Sequence, residues 1–252
     1  NLQANCDSIV KYLGITADER PITTLPMEYT YGLSVIHTHL AAGATIILTN
    51  RSLFQREFWE MAEKYEATSM AGVPYTYEMF ERLRLTEMNL PHLKTLTQAG
   101  GHLHEDLQWK YGKWAAETGR RLFVMYGQTE ATARMSYIPP EKCLEKIGSI
   151  GIPVPGGSMY IADDGELVYL GANVSMGYAT KREDLALGDE NGGLLKTGDM
   201  ARMDDEGYFY ITGRKKRFVK VQGRRISLDK VEEDLQEAFA CDEIVCMGSD
   251  DD

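Results

Sequence analysis

The chain has 252 residues, is 43% apolar and 26% charged, and carries a net charge of −11. That length buries a sizeable core as one large domain or two small ones, and the composition is that of an ordinary globular protein, not a disordered or fibrous one. The acidity argues against nucleic acid as the main partner, and no apolar stretch approaches the ~20 residues of a membrane-spanning helix.

Leu2, Cys6, Ile9, Val10 and Leu13 recur at helical spacing, so an amphipathic helix is expected at the start of the sequence. Residues 44–48 read as a buried strand. Ser52 and Gln55 then fit a capping box ahead of a helix whose inner face is Phe54, Phe58, Met61, Ala62 and Tyr65. Further strands are expected at residues 68–71, 95–99 and 122–125, with helices at residues 77–85 and around Leu107, Tyr111, Trp114 and Ala115. Strands alternating with helices imply a parallel sheet.

Pro139-Pro140 ends that rhythm. Asp164-Gly165 and Glu206-Gly207 each separate two short alternating segments, the signature of antiparallel hairpins. Beyond Gly213, residues 218–221 and Ile226 flank a turn at Gly223. Ser227 then caps a helix with Leu228, Val231, Leu235, Ala238 and Phe239 facing inward, and residues 243–247 read as a last strand. The fold class is therefore α/β: a parallel-sheet subdomain over residues 1–138, a small antiparallel β-barrel subdomain over 139–213, a hinge at 214–217, and the start of a small α+β domain over 218–252. Because the first helix and the last strand both run to the ends of the sequence, the chain reads as a fragment.

Charge is distributed unevenly. Arg214, Lys215, Lys216, Arg217, Lys220, Arg224 and Arg225 crowd one stretch without an acid among them, whereas beyond Asp229 Lys230 is the only base. Phe218, Val219 and Val221 interleave with the run, so strand alternation sends about half its charges to one face. That face is either merely solvated or faces anionic ligands.

The chemistry is concentrated in residues 126–130, Tyr-Gly-Gln-Thr-Glu, directly after the apolar run 122–125. A buried strand that ends this way delivers polar groups to the carboxyl edge of a sheet, where open α/β sheets bind ligands. Tyr126 offers a face for a base, Gly127 close backbone approach, Thr129 a hydroxyl for phosphate and Glu130 a carboxylate for a divalent cation. Downstream come Lys196-Thr-Gly-Asp199, Asp205-Glu-Gly-Tyr208, Gly213-Arg214 and Lys220-Val-Gln-Gly223. The paired histidines His37/His39 and His102/His104 are two apart, on opposite sides of a helix, and no metal site is assigned to them. Cys6, Cys143, Cys241 and Cys246 lack C-x-x-C spacing and read as reduced thiols. No signal-peptide pattern is present, so a cytoplasmic location is expected.

In order and spacing these motifs resemble the adenylate-forming superfamily of acyl-CoA synthetases, aryl-CoA ligases and peptide-synthetase adenylation domains. The resemblance implies activation of a small carboxylic acid with ATP as an acyl-adenylate, then transfer to coenzyme A or an acyl-carrier protein. By resemblance Tyr126 stacks on adenine beside Gly100, Gly101 and His102, with His102 where proline is commoner. Gly127 and Gln128 complete the nucleotide loop, Thr129 bonds the α-phosphate, Glu130 binds Mg²⁺, Asp199 takes the ribose hydroxyls and Arg214 reaches ribose and phosphate. The substrate carboxylate would lie among Tyr29, Gly72, Val73 and Tyr75, while Tyr31 and Tyr75 fit core packing equally well. Lys216 takes the hinge position, and Lys220 with Gly223 the loop of the thioester step. The family's phosphate-binding loop and its C-terminal lysine would lie outside the sequence, so the chain alone is expected to be inactive. A peptide-synthetase-type adenylation domain and a catalytically silent nucleotide-binding fragment are the alternatives.

Overall fold

The structure, a computed structural model, describes residues 1–221, 224–239 and 244–247. Helix α1 (Leu2–Leu13) stops at Gly14, whose φ of 66° lets its N–H close onto the Val10 carbonyl. There follow strand β1 (Pro21–Ile22), helices α2 (Thr30–Ala41) and α3 (Arg56–Lys64), β2 (Ser69–Gly72), α4 (Pro74–Arg82), β3 (Thr95–Gln98), α5 (Glu105–Glu117) and β4 (Arg121–Tyr126). Strands β1 to β4 are parallel neighbours in chain order. Two short strands, β5 (Ser136–Tyr137) and β6 (Ile152–Pro153), extend the sheet antiparallel beyond β4.

Strand alternation builds the layers. Leu122 and Val124 of β4 enter one core with Phe58, Tyr77, Phe80 and Tyr111 from α3, α4 and α5. Phe123 and Met125 point the opposite way, into a core with Ile9 and Leu13 of α1 and Tyr31 of α2. Helices therefore cover both faces, and the carboxyl ends of β3 and β4 stay free for a site.

A second sheet, order β10-β9-β8-β7, is antiparallel: β7 (Gly157–Ile161), β8 (Glu166–Gly171), β9 (Leu194–Met203) and β10 (Phe209–Arg214). Its two hairpins turn at the expected Asp164-Gly165 and Glu206-Gly207. A bridge between Gly151 and Phe209 joins it to the first sheet. Strands β11 (Phe218–Val221) and β12 (Arg224–Ser227) pair as a hairpin, followed by α6 (Leu228–Phe239). Ser227 caps α6 as expected, its Oγ accepting from the Lys230 N–H at 3.3 Å. Parallel sheet, antiparallel sheet and a small α+β unit thus follow one another in the expected order.

Several local expectations are corrected. Residues 44–48 form no buried strand: Ile47 makes a single bridge to Ile22 at the edge of the sheet, and Leu48 is exposed. The expected capping box is half made: Gln55 Oε1 accepts from the Ser52 N–H, but Ser52 Oγ accepts from the Phe54 N–H, and α3 starts after them, leaving Phe54 and Tyr65 in solvent while Phe58 and Ala62 are buried. Leu2 is exposed at the first turn of α1. On α6, Ala238 and Phe239 are exposed, because they lie past the part of the helix packed on β10 and β12. Residues 244–247 form no strand; the Cys246 N–H donates to the Glu232 carboxylate at 2.6 Å instead.

Candidate active site

An open cleft of about 670 Å³ lies where the end of β3, the end of β4 and the facing strands β9 and β10 converge. Its wall includes Tyr29, Gly100, Gly101, His102, Tyr126, Gly127, Gln128, Thr129, Glu130, Asp199 and Arg214. Residues read separately from segments up to 185 positions apart therefore share one cavity.

Each wall has a local cause. β3 ends in Gln98, wholly buried, whose Nε2 donates to the Gly101 carbonyl at 2.9 Å and fixes the turn through Gly100 and Gly101. Gly100 has φ 84°, and a Cβ there would stand 2.4 Å from the Tyr29 hydroxyl, so only glycine fits. β4 ends in Tyr126, and the loop after it closes tightly: the Ala133 N–H donates to the Gln128 carbonyl and the Met135 N–H to that of Tyr126.

Asp199 is the electrostatic centre. Its residue is 2% exposed, and it stands directly across the β9–β10 ladder from Arg214, just past a bulge at Ile211 and Gly213. Arg214 Nε lies 2.8 Å from Oδ1, while Oδ2 accepts from Gln128 Nε2 at 3.0 Å and from the Tyr126 hydroxyl. Burial, and then the carboxylate it donates to, hold the Tyr126 phenol far above its ordinary range. The phenol therefore stays a donor at physiological pH, and its ring is pinned against the cleft. A carboxylate has about four lone-pair positions. Three are used here, so any further donor takes the fourth or displaces Arg214, whose side chain is 57% exposed.

Thr129 and Glu130 form a one-turn 3₁₀ helix at the rim. The Thr129 hydroxyl lies 3.1 Å from that of Thr30, at the first turn of α2, and Glu130 Oε1 accepts from the Tyr178 hydroxyl at 2.6 Å. Thr30, Tyr178 and the buried Gln98 were not singled out from the sequence; nothing local marks them, since each matters through a partner distant in the chain. One carboxylate flanked by hydroxyls fits Mg²⁺, which takes one or two protein carboxylates and fills its shell with phosphate oxygens and water.

Other expected residues fall outside the cleft lining. A Cβ on Gly72 would meet Thr76 and Tyr77 in the core, and Tyr75 is exposed on α4; Val73 packs beside Gly100. Lys216 is exposed on the turn after β10. Lys220 lies on β11 with its side chain outside the described residues, and Gly223 lies outside them entirely. The basic run is not a uniform anion-facing stripe. Arg214 pairs with Asp199, Lys215 with Asp164 and Glu166, and Arg217 with Asp229 and Glu232.

The profile of the AMP-binding enzyme family matches residues 1–179. The chain belongs to that family. An indoleacetate–CoA ligase of Aromatoleum aromaticum is 30% identical over 249 residues, 93% of this chain and 47% of the relative. A 2-succinylbenzoate–CoA ligase of Bacillus pumilus is 27% identical over 250 residues, 95% of this chain and 50% of the relative. Among solved structures, an O-succinylbenzoate coenzyme A synthetase from Bacillus subtilis in complex with its acyl-adenylate intermediate superposes with a TM-score of 0.82 at 25% identity, covering all of this chain and 52% of the other. The same synthetase with ATP and magnesium gives 0.77 at 26% identity, over 95% of this chain and 50% of the other. This AMP-binding family member thus spans about half the length of the relatives it matches. Among the described residues no helix is long and apolar enough to cross a membrane.

Proposed function

We propose that the whole protein activates a carboxylic acid with ATP as an acyl-adenylate and passes the acyl group to coenzyme A. One observation carries the reading: Tyr126, Thr129, Glu130, Asp199 and Arg214 line a single cleft, and their chemistries together suit the base, ribose, phosphates and magnesium of a bound nucleotide. The names of the relatives as CoA ligases support it. In the proposed step a substrate carboxylate oxygen attacks the α-phosphorus, and the bond to the pyrophosphate oxygen breaks. Two anions must approach, so the site has to supply donors and positive charge. Thr129 donates to an α-phosphate oxygen, and Arg214 faces ribose and phosphate. Tyr126 stacks on adenine above Gly100 and Gly101, with His102 at the edge, and Gln128 holds Asp199 toward the ribose. Magnesium held at Glu130 would neutralise phosphate charge.

The test is acid-dependent ATP–pyrophosphate exchange by the full-length protein across a panel of carboxylic acids, followed by AMP release on adding coenzyme A. Exchange that needs an acid, and turnover that needs the thiol, are the expected results. ATP hydrolysis indifferent to every acid would remove the proposal.

Within this reading residues 1–138, 139–213 and 218–252 act as separate units and Lys216 is the hinge, with Lys220 and Gly223 entering the site for thioester formation. In the present arrangement Lys215 is tied to the β7–β8 turn, whereas Arg217 is tied to α6. The exposed Lys216 sits between two anchored neighbours, where a few dihedral changes swing one unit against the other. Lys216→Pro fixes φ near −65° and is expected to spare one half-reaction while slowing the other roughly tenfold or more, as hinge changes do. Wild-type rates in both half-reactions would show the hinge to lie elsewhere.

A further inference from the structure

The carboxylate of Glu130 is gripped from outside its own segment. Glu130 sits in the one-turn 3₁₀ helix after β4, and Thr132 and Ala133 follow it in the left-handed region, with φ of 58° and 88°. Non-glycine residues keep such angles only where the surrounding structure enforces them. Here the enforcement comes from the excursion after β8. Asn173, 4% exposed, donates from Nδ2 to the carbonyls of Ala131 at 2.8 Å and Arg134 at 3.1 Å. Its own carbonyl accepts from the Thr132 hydroxyl at 2.6 Å. The Tyr169 hydroxyl on β8 donates to Asn173 Oδ1 at 2.7 Å, so the grip is anchored in the second sheet.

The same excursion then takes hold of Glu130 twice. The Ser175 N–H donates to the Glu130 carbonyl at 2.7 Å, and the Tyr178 hydroxyl donates to Oε1 at 2.6 Å. Tyr178 is 67% exposed, yet the chain that carries it is tied down. The Ser175 carbonyl accepts from Asn191 Nδ2 at 2.8 Å, and the Met176 carbonyl from the Glu190 N–H at 2.9 Å. Gly177, with φ 133°, turns the chain just before Tyr178 in a conformation that suits glycine. Among the described residues no other group donates to the Glu130 carboxylate. Without the phenol a cation would have to immobilise that side chain on binding, which costs affinity. Carboxylates that ligate metals are generally oriented by such a hydrogen bond, and its loss weakens metal binding about 10–100-fold.

We infer that Tyr178 is a positioning residue for the divalent cation. Its hydroxyl holds the Glu130 carboxylate in place and leaves about three of its four lone-pair positions for the metal. The inference rests on the ATP-dependent function proposed above.

The experiment is calorimetric titration of the full-length protein with ATP, once with excess magnesium and once with a chelator and no divalent cation. The ratio of the two Kd values is the gain in affinity that the metal supplies. Wild type is expected to show a gain, and Glu130→Gln to lose most of it. Tyr178→Phe should lose about tenfold of the gain, while its metal-free affinity and melting temperature stay at wild type. A Tyr178→Phe chain that fails to fold, or that loses affinity equally with and without metal, marks the hydroxyl as structural and overturns the inference. A wild-type ratio in Tyr178→Phe beside a lost gain in Glu130→Gln overturns it too, leaving the magnesium role of Glu130 standing. Wild type that binds no ATP, or binds it indifferently to magnesium, removes that role and this inference together, as does an undiminished gain in Glu130→Gln.

Discussion

Replacing Gly127 with alanine is expected to destabilise the loop after β4 and to weaken AMP binding by about tenfold or more. A Cβ on Gly127 would stand 1.9 Å from the Ala133 carbonyl oxygen, 2.7 Å from its carbon and 2.9 Å from Arg134 Cα. All three are backbone atoms, so no side-chain rotation relieves the clash. The loop cannot slide either, because the Ala133 and Met135 N–H groups are bonded back to Gln128 and Tyr126, and Val154 bonds to Met135. Forcing an extra methyl into such a site costs typically ~1–3 kcal/mol, occasionally more. Tyr126 and Gln128 must move with the loop, and both are partners of Asp199. One substitution therefore lowers the melting temperature and loosens the nucleotide wall together. Calorimetric titration with AMP beside a thermal melt reads both effects. Wild-type affinity in Gly127→Ala would mean that the loop does not shape the site.

The legible part of this protein was what local pattern encodes. The run 122–125 announced a buried strand because Leu122 and Val124 serve one core while Phe123 and Met125 serve the other. The segment 126–130 stood out because its residue types have few reasons to follow such a strand. What was not legible depends on distances between elements. Residues 44–48 have the composition of a buried strand, yet they lie at the sheet edge, which no local pattern reveals. Phe54 and Tyr65 obey helical spacing but fall beyond the ends of a nine-residue helix. The basic residues at 214–217 looked like a binding face because their acidic partners, Asp164, Glu166, Asp199, Asp229 and Glu232, are scattered through the sequence. Thr30 and Tyr178 show the same limitation from the other side: ordinary residues gain a place in the site only through Thr129 and Glu130.

Asp199→Ala is expected to erase discrimination between adenosine and 2′,3′-dideoxyadenosine. A ribose diol donating to this buried carboxylate makes charge-assisted hydrogen bonds, worth roughly 1.5–3 kcal/mol, or about tenfold or more in affinity. Loss of affinity alone would prove little. Removing the carboxylate also strips Tyr126, Gln128 and Arg214 of their shared acceptor, and donors left unpaired next to the cleft disturb the site whatever binds there. The ratio of the two affinities separates the effects, because disorder of the site weakens both ligands while loss of the ribose acceptor weakens only the one with hydroxyls. Wild type should favour adenosine about tenfold or more, and the variant should bind both equally. Arg214→Ala supplies the opposite control: it frees Oδ1 of Asp199 for the diol, so preference for adenosine should persist even where overall affinity falls. If wild type bound the two nucleosides alike, Asp199 would have no ribose to hold, and its buried network with Tyr126, Gln128 and Arg214 would be scaffolding for the cleft alone.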